Sequence, residues 1–198
     1  MWIKVCGMTT ADAVTAAVDA GVDAIGFVFA DSVRQLTPHA AAALARPARG
    51  HVRCVAVTRH PAQREIDELL NVFRPDLLQT DAADFAALRL PATLERLPVF
   101  RAGEPPPASL PRRLLFEGPA SGQGRVSDWD AARALALRTE LVLAGGLSAT
   151  NVAAAIAAVQ PFGVDVSSGV EERPGLKSPA QIVSFVAAVR RACKEPPT

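Results

Sequence analysis

The chain has 198 residues, and 49% of them are hydrophobic, which is enough to fill the core of one domain. Its formal net charge is +1 and no long run of like charge occurs, so neither nucleic acid nor an anionic membrane surface is indicated as a partner. We therefore expect a small-molecule ligand.

The cysteines indicate a reducing compartment. Cys6, Cys54 and Cys193 are widely spaced and form no CxxC pair, which argues against a disulfide framework and against a structural zinc site. No apolar stretch approaches the roughly 18 residues that span a bilayer, and the N-terminus lacks the pattern of a secretory signal. We expect a soluble cytoplasmic protein, and a monomer, because no apolar stripe stands out beyond the packing faces of the predicted helices.

Short apolar runs alternate with Ala-rich amphipathic stretches along the whole chain, which is typical of strand-helix units around a parallel sheet. The first unit is a strand at 3–6 and a helix that begins near Thr10 and ends at Gly21, where a glycine can close a helix. Later strands are predicted at 24–29, 53–57, 76–79, 99–101, 114–117, 141–144 and 162–166. Later helices are predicted at 38–45, 61–73, 82–88, 130–137, 148–159 and 179–193.

The helix after the fifth strand is predicted to be short or missing, because the prolines at 105–107 remove backbone donors and force extended geometry. Eight strands with about eight helices predict an α/β protein with a compact (β/α)8 TIM barrel, in a single domain over 1–198. A doubly wound open sheet is the alternative. Its Gly-rich fingerprint after the first strand is absent, since Gly7 stands alone.

Polar and reactive residues stand where predicted strands end, which is where (β/α)8 enzymes place their active-site groups. Cys6, Gln79, Glu117 and Asp165 end strands one, four, six and eight, and Arg34 lies in the loop after strand two. In a closed barrel these side chains are expected to converge on one mouth.

The thiol at the end of the first strand is a candidate for chemistry. Cys6 precedes a helix start at Thr10, and a nearby helix N-terminus favours the thiolate. The alternative is a small buried hydrophobic residue, the role that we expect for Cys54, while Cys193 is expected to be incidental. The residues alone leave both roles open for Cys6.

Glu117 stands beneath the Gly-rich loop 118–124. A carboxyl group in such a place is suited to act as a general acid with a raised pKa, although anchoring a loop is the commoner role. This residue alone does not decide between the two.

Two glycine-containing loops predict a phosphate site. Gly145 and Gly146 follow strand seven, and Ser168 and Gly169 follow strand eight. Glycines let backbone N–H groups approach a ligand, and a phosphate site after strands seven and eight recurs in this fold. Simple tight turns are the alternative.

The histidines do not predict a metal. His39, His51 and His60 show no ligand spacing with acidic residues or cysteines, so we expect ordinary surface histidines.

Taken together, these motifs resemble those of the phosphoribosylanthranilate isomerases, (β/α)8 enzymes of tryptophan biosynthesis. The matching stretches are 3–9, 23–29, 143–147 with 151–152, and 161–171 with 174–175. They span the chain, and the first and last are highly specific to the family. The resemblance implies an Amadori rearrangement of N-(5-phosphoribosyl)anthranilate to a 1-deoxyribulose phosphate, without a cofactor.

The resemblance also implies roles for individual residues. Cys6 matches the general base that removes the proton from the sugar C2, and Glu117 aligns with the general acid that protonates the ring oxygen. Arg34 matches the residue that holds the anthranilate carboxylate. Residues of the substrate pocket are implied as well: Gln79 and Asp165 for the substrate, and Gly145, Gly146, Ser168 and Gly169 for its phosphate.

Three positions depart from the family pattern. The family usually has Asp where this chain has Glu117, so either the pocket is adjusted or the assignment is shifted by one residue. After strand four, Asp81 replaces the usual His. The loop 121–125 differs from the family's Gly-rich run.

Two other functions remain as alternatives. One is another phosphosugar barrel, such as the aminoaldose isomerase of histidine biosynthesis, but that enzyme uses a pair of aspartates and Cys6 argues against it. The other is a non-catalytic barrel that still binds phosphorylated ligands, which Asp81 and Glu117 favour.

Overall fold

Eight parallel strands close into a barrel in the computed structural model, which describes residues 1–103, 109–118 and 127–194. They follow one another around the barrel in chain order, and the eighth pairs with the first to close it. The predicted TIM barrel is therefore confirmed. The strands are β1 (Trp2–Cys6), β2 (Ala24–Val28), β3 (Arg53–Val57), β4 (Leu77–Asp81), β5 (Glu95–Arg101), β6 (Arg113–Glu117), β7 (Glu140–Leu143) and β8 (Gly163–Val166).

The α-helices pack on the outside of this barrel and begin at side-chain caps such as Thr10 and Ser178, whose hydroxyls accept backbone N–H groups. None of the helices in the described ranges is long and apolar enough to cross a membrane. A short antiparallel hairpin, β9 (Glu171–Arg173) with β10 (Leu176–Lys177), follows β8. The helices are α1 (Ala11–Asp19), α2 (Pro38–Ala45), α3 (Gln63–Val72), α4 (Trp129–Ala136), α5 (Val152–Val159) and α6 (Pro179–Ala192).

The prediction of a helix at 82–88 is wrong, because the chain there forms only a short 3-10 helix, Ala82–Ala86. The carboxylate of Asp84 accepts hydrogen bonds from the Thr80 hydroxyl at 2.6 Å and from the backbone N–H of His60 at 3.0 Å. These bonds tie the segment back to the ends of the preceding strands. A side chain that binds neighbouring groups in this way competes with regular helix formation.

Two other boundaries differ from their predicted positions. The strand β5 begins at Glu95 rather than at 99, because residues 95–98, including Pro98, already pair with β4 before pairing with β6 begins at Val99. The helix α5 begins at Val152 rather than at 148, because the Asn151 side chain bonds backbone groups of the preceding turn.

The segment between β5 and β6 was expected to hold a short helix or none. Residues 102–103 and 109–112, which flank it, are not helical. Residues 104–108 lie outside the described residues, as do 119–126, which include most of the Gly-rich loop after β6.

Alternation along the strands decides which residues face the barrel interior. Ile3, Val5 and their counterparts on other strands pack in the large apolar layer shared with the helices. The intervening residues of each strand point inward, as successive side chains of a strand must. At the lower end they form a small apolar cluster, and toward the carboxyl ends they are polar. The cluster is Ala24, Val55, Leu77, Leu97, Val99, Leu115, Val142 and Ala144.

Candidate active site

A cavity of about 250 Å³ opens at the carboxyl ends of the barrel strands. Every strand-end residue singled out from the sequence lines it: Cys6, Gln79, Glu117 and Asp165, together with Arg34 from the loop after β2. A larger groove of about 1210 Å³ lies at the opposite end and flank of the barrel, but it contains none of these residues. The predicted convergence on one mouth therefore holds.

Cys6 is the last residue of β1, and its side chain is 7% exposed. A Cβ atom added at Gly26 on the neighbouring strand would lie 3.0 Å from its sulfur and 3.3 Å from Lys4 Cε, so this glycine makes room for both side chains. Burial raises the pKa of the Cys6 thiol, while Lys4 and Lys177 oppose that rise. The helix α1 begins at the predicted cap, Thr10, but burial is the largest effect on the Cys6 pKa, so the lowered pKa expected from the helix N-terminus is not observed.

Lys4 is a fully buried lysine inside the barrel, two residues before Cys6 on the same face of β1. Its ammonium donates to Asp165 Oδ1 at 2.9 Å across the β1–β8 pair. Burial alone would lower the pKa of Lys4, but the Asp165 carboxylate and the Cys6 sulfur outweigh burial and raise it. The site floor therefore contains a charged ammonium beside the thiol.

Arg34 is held by Glu171 at the start of the β9–β10 hairpin. The guanidinium donates to both carboxylate oxygens, from Nε at 2.7 Å and from Nη2 at 2.8 Å. The buried Lys177 ammonium donates to the same carboxylate at 2.5 Å, and also to the Ser167 carbonyl at 3.2 Å. Gly7 leaves the space for this arrangement, since a Cβ there would lie 2.5 Å from Arg34 Cδ. A bidentate pair fixes the plane of the guanidinium.

Glu117 lies across the mouth on β6 and is bound by Arg101 of β5, with Nη2 and Oε1 3.1 Å apart. The other end of the same guanidinium binds Asp81 of β4, at 2.6 Å from Nη1 to Oδ1. Arg59 and His60 approach the second oxygen of Asp81 at 3.8 Å and 3.3 Å. The two residues that depart from the family pattern, Asp81 and Glu117, are therefore joined through one arginine.

His60 lies closer to acidic residues than its spacing in the sequence suggests. Its ring contacts Asp84 at 2.9 Å and Asp81 at 3.3 Å, and one ligand atom from each of the three lies within 4.8 Å of the others. The sequence showed no such group, because these residues come together only when β3 and β4 pair. Arg59 and Arg101 already place positive charge on Asp81, which disfavours a cation there.

Gln79 presents an unsatisfied acceptor at the site. Its side chain is buried at the inner face of β4, and Oε1 accepts no hydrogen bond from any described residue. A buried acceptor without a partner is costly, so a ligand with an N–H or O–H group is the natural partner for it.

The two glycine loops after β7 and β8 touch. Gly145 and Gly146 adopt positive φ angles of 94° and 64°. A Cβ added at Gly169 would lie 1.9 Å from the Leu147 carbonyl oxygen, so only glycine permits this contact. Gly145, Gly146 and Ser168 line the cavity, whereas Gly169 lies behind them at the contact between the loops.

Sequence reasoning missed Lys4, Arg101, Glu171 and Lys177. The alternation on β1 was a usable signal for Lys4, because it shares a face with Cys6. Lys177 and Glu171 had no such signal, because their partners lie on other elements. Cys54 is fully buried against the apolar layer, as expected, and Cys193 is exposed.

The fold and this mouth define the class of protein: a (β/α)8-barrel enzyme with a thiol, carboxyl groups and glycine loops gathered at the carboxyl ends of its strands. The family model for N-(5'-phosphoribosyl)anthranilate isomerase matches residues 3–188. The chain belongs to this family of aldose-ketose isomerases in tryptophan biosynthesis, as the sequence motifs indicated.

Individual relatives agree. The N-(5'-phosphoribosyl)anthranilate isomerase of Azorhizobium caulinodans is 38% identical over 96% of this chain and 92% of its own. The isomerase of Desulforudis audaxviator is also 38% identical, over 96% and 98% of the two chains. The crystal structure of the Thermus thermophilus enzyme superposes with a TM-score of 0.84 at 27% identity, covering 96% and 99%. Another solved isomerase, in complex with reduced 1-(o-carboxyphenylamino)-1-deoxyribulose 5-phosphate, gives 0.78 at 25% identity over 96% and 99% of the chains.

Proposed function

We propose that this chain catalyses the Amadori rearrangement of N-(5-phosphoribosyl)anthranilate, with Cys6 as general base and Glu117 as general acid. The observation that carries the proposal is that these two side chains lie on β1 and β6, separated by two strands, and line one cavity with Arg34 and the glycine loops. A phosphorylated substrate of this kind is supported by the ligand in the solved relative.

In the proposed chemistry the acid and the base each carry out one proton transfer, and a tautomerisation completes the reaction. Glu117, which is paired with Arg101, takes up a proton from water and donates it to the furanose ring oxygen. The bond from that oxygen to C1 breaks, and the anthranilate nitrogen takes up the positive charge as an iminium. The Cys6 thiolate then removes the proton from C2, and the electron pair neutralises the iminium to give an enolamine. Tautomerisation of the enolamine gives the C2 ketone. A positioned acid and base of this type contribute about 10²- to 10⁴-fold each.

The remaining site residues bind the substrate in this proposal. Arg34 holds the anthranilate carboxylate, which suits a planar guanidinium. Gln79 accepts a hydrogen bond from the substrate, and Asp165 lines the pocket floor through its pair with Lys4. The phosphate lies on the paired glycine loops, against Gly145, Gly146 and Ser168, while Gly169 permits the contact between the two loops behind them.

Several expectations remain part of the proposal. We propose a single-domain barrel over 1–198 that works as a monomer in the cytoplasm without a cofactor. Sedimentation mass tests the monomer, and a value near twice 20.8 kDa contradicts it.

The test uses the fluorescence of anthranilate compounds. Substrate made in situ should lose its fluorescence when the wild-type protein is added. Cys6→Ser and Glu117→Gln should each reduce turnover by about 10²-fold or more, while Cys193→Ser, a substitution at an exposed cysteine, should retain it. Full rate in Cys6→Ser refutes the base. Product binding without turnover by the wild type would favour the alternative, a non-catalytic phosphosugar-binding barrel.

A further inference from the structure

Two of the chain's lysines, Lys4 and Lys177, are buried beside Cys6, and neither has a role in the mechanism described so far. Lysine is almost never buried without a partner. Each is paired with a carboxylate, Lys4 with Asp165 at 2.9 Å and Lys177 with Glu171 at 2.5 Å. The side chains of all four are at most 7% exposed.

The charges of this cluster do not balance. Glu171 is shared, because it also binds the Arg34 guanidinium at 2.7 Å. At their ordinary charges, Lys4, Lys177 and Arg34 are cationic, whereas Asp165 and Glu171 are anionic. Burial lowers the pKa of Lys177 and raises the pKa of Asp165, and their ion pairs oppose both shifts. The cluster therefore carries one excess positive charge away from bulk water, where an uncompensated charge is costly.

Cys6 is placed to supply the missing negative charge. On one side, a Cβ added at Gly26 would lie 3.0 Å from the Cys6 sulfur and 3.3 Å from Lys4 Cε, so both side chains border the space that this glycine leaves open. On the other side, a Cβ added at Gly7, the next residue along the chain, would lie 3.2 Å from Lys177 Nζ. The Ser167 hydroxyl links the two, since it donates to the Cys6 carbonyl at 3.0 Å and contacts Lys177 at 3.3 Å.

We propose that Lys4 and Lys177 are positioning residues that hold Cys6 as a thiolate, because the thiolate neutralises the excess positive charge of the buried cluster. This role rests on the proposed function, in which the thiolate is the base. Burial is the largest effect on the pKa of Cys6 and raises it on balance, while Lys4 and Lys177 each lower this pKa and Asp165 raises it. The signs of the three charge effects are those that the proposal requires.

Other charged groups face the same cavity, and none of them is changed in the variants that test the proposal. Arg59 and Arg101 are paired with Asp81, and Arg101 is also paired with Glu117. His60 contacts Asp81, and Asp31 lies at the rim.

The test measures the titration of Cys6 without any substrate. In a Cys193→Ser background, which removes the exposed thiol, the alkylation rate of Cys6 by uncharged iodoacetamide is followed by mass spectrometry of the Cys6 peptide across pH. The plateau rate at high pH reports access to the thiol, and the midpoint reports its charge environment. Normalising each curve to its plateau separates the two.

The variants should move the midpoint in opposite directions. Lys177→Met removes a cation, so the midpoint should rise and the normalised rate at about pH 8 should fall about tenfold. Asp165→Asn removes an anion, so its midpoint should fall. Lys177→Arg keeps the charge and should remain close to wild type, and Lys194→Met, at an exposed lysine, should not move the curve.

If Lys177 and Asp165 only supported the fold, their variants would not shift the midpoint of Cys6 alkylation in opposite directions. Unchanged midpoints, or shifts of Lys177→Met and Asp165→Asn in the same direction, overturn the proposal. Should Lys177→Met fail to fold, Asp165→Asn alone decides, because a midpoint that stays or rises contradicts the proposal. Turnover is measured separately: a wild type that titrates as expected but turns over no substrate refutes the proposed function and leaves the thiolate inference standing.

Discussion

Arg101 and Glu117, on the neighbouring strands β5 and β6, form an ion pair at the barrel mouth with 3.1 Å between Nη2 and Oε1. The same guanidinium binds Asp81 at 2.6 Å, so one cation lies between two carboxylates. Glutamate is one methylene longer than the aspartate that the family pattern shows at this position. The ion pair with Arg101 limits where the longer side chain can place its carboxyl group.

Replacing Arg101 should therefore reduce turnover through Glu117. If Glu117 is the general acid, as proposed, kcat should fall about 10- to 100-fold in Arg101→Met with a smaller change in KM, because a misplaced acid slows the chemical step more than it weakens binding. Steady-state kinetics measures both constants. Arg96→Met is the matched control, since Arg96 lies on the same strand at the other end, over the Phe85 ring. An unchanged kcat in Arg101→Met would show that Glu117 does not depend on this pair.

Replacing Asp81 should reduce stability. Asp81→Asn leaves the Arg101 guanidinium, which is only 12% exposed, without one of its carboxylates and removes the contacts of Arg59 and His60. We expect the free energy of unfolding to fall by about 2 kcal/mol, less than for a fully buried pair because Arg59 and His60 reach solvent. Urea unfolding measures the change. Asp67→Asn, on the exposed face of α3, should change stability by less than about 0.5 kcal/mol, and equal losses in both variants would contradict the expectation.

The strand ends could be predicted from the sequence because their signal is local. A short apolar run fixes the strand, alternation fixes which residues face inward, and parallel strands bring their carboxyl ends to one side. Cys6, Gln79, Glu117 and Asp165 follow from these rules. The structure of 82–88 could not be predicted in this way. Its Ala-rich composition favours a helix, but the hydrogen bonds of Asp84 to neighbouring elements override that preference.

The electrostatic partners could not be predicted, because they are joined across the barrel rather than along the chain. Lys4 and Asp165 are 161 residues apart, and Arg34 and Glu171 are 137 apart. Only the closure of β8 onto β1 brings the first pair together. Charge balance at the thiol therefore depends on tertiary structure, whereas the position of the thiol itself depends on local sequence.

Alanine variants at Gly7 and Gly50 separate the effect of backbone strain from the effect of steric contact with Arg34. Both glycines have positive φ angles, 84° and 82°, so an alanine at either position should cost about 1–2 kcal/mol of stability. A Cβ at Gly50 meets nothing within 4 Å, whereas one at Gly7 lies 2.5 Å from Arg34 Cδ. We expect only Gly7→Ala to raise KM, by about tenfold, because it displaces Arg34, which we propose binds the substrate carboxylate. Urea unfolding and steady-state kinetics measure the two effects. A normal KM in Gly7→Ala would argue against that role for Arg34.

Glu171 should make stability depend on pH in acid. Burial alone would raise the pKa of Glu171, but hydrogen bonds and charge from Arg34 and Lys177 outweigh burial and lower it below the ordinary value of 4.5. A group whose pKa is lower in the folded state contributes stability above its unfolded pKa and loses that contribution as pH falls through the folded pKa.

The comparison is between the wild type and Glu171→Gln. At about pH 7 the substitution leaves two buried cations without their carboxylate and should cost about 3 kcal/mol. Below about pH 4.5 the carboxylate of the unfolded wild-type chain takes up a proton while that of the folded protein stays ionised, so the difference between the two proteins should shrink until pH falls below the lowered folded pKa. Urea unfolding at several pH values measures it, with Glu172→Gln as the control at the exposed neighbouring position, where we expect little change. A difference for Glu171→Gln that stays constant into acid would mean that the carboxylate does not contribute through its charge.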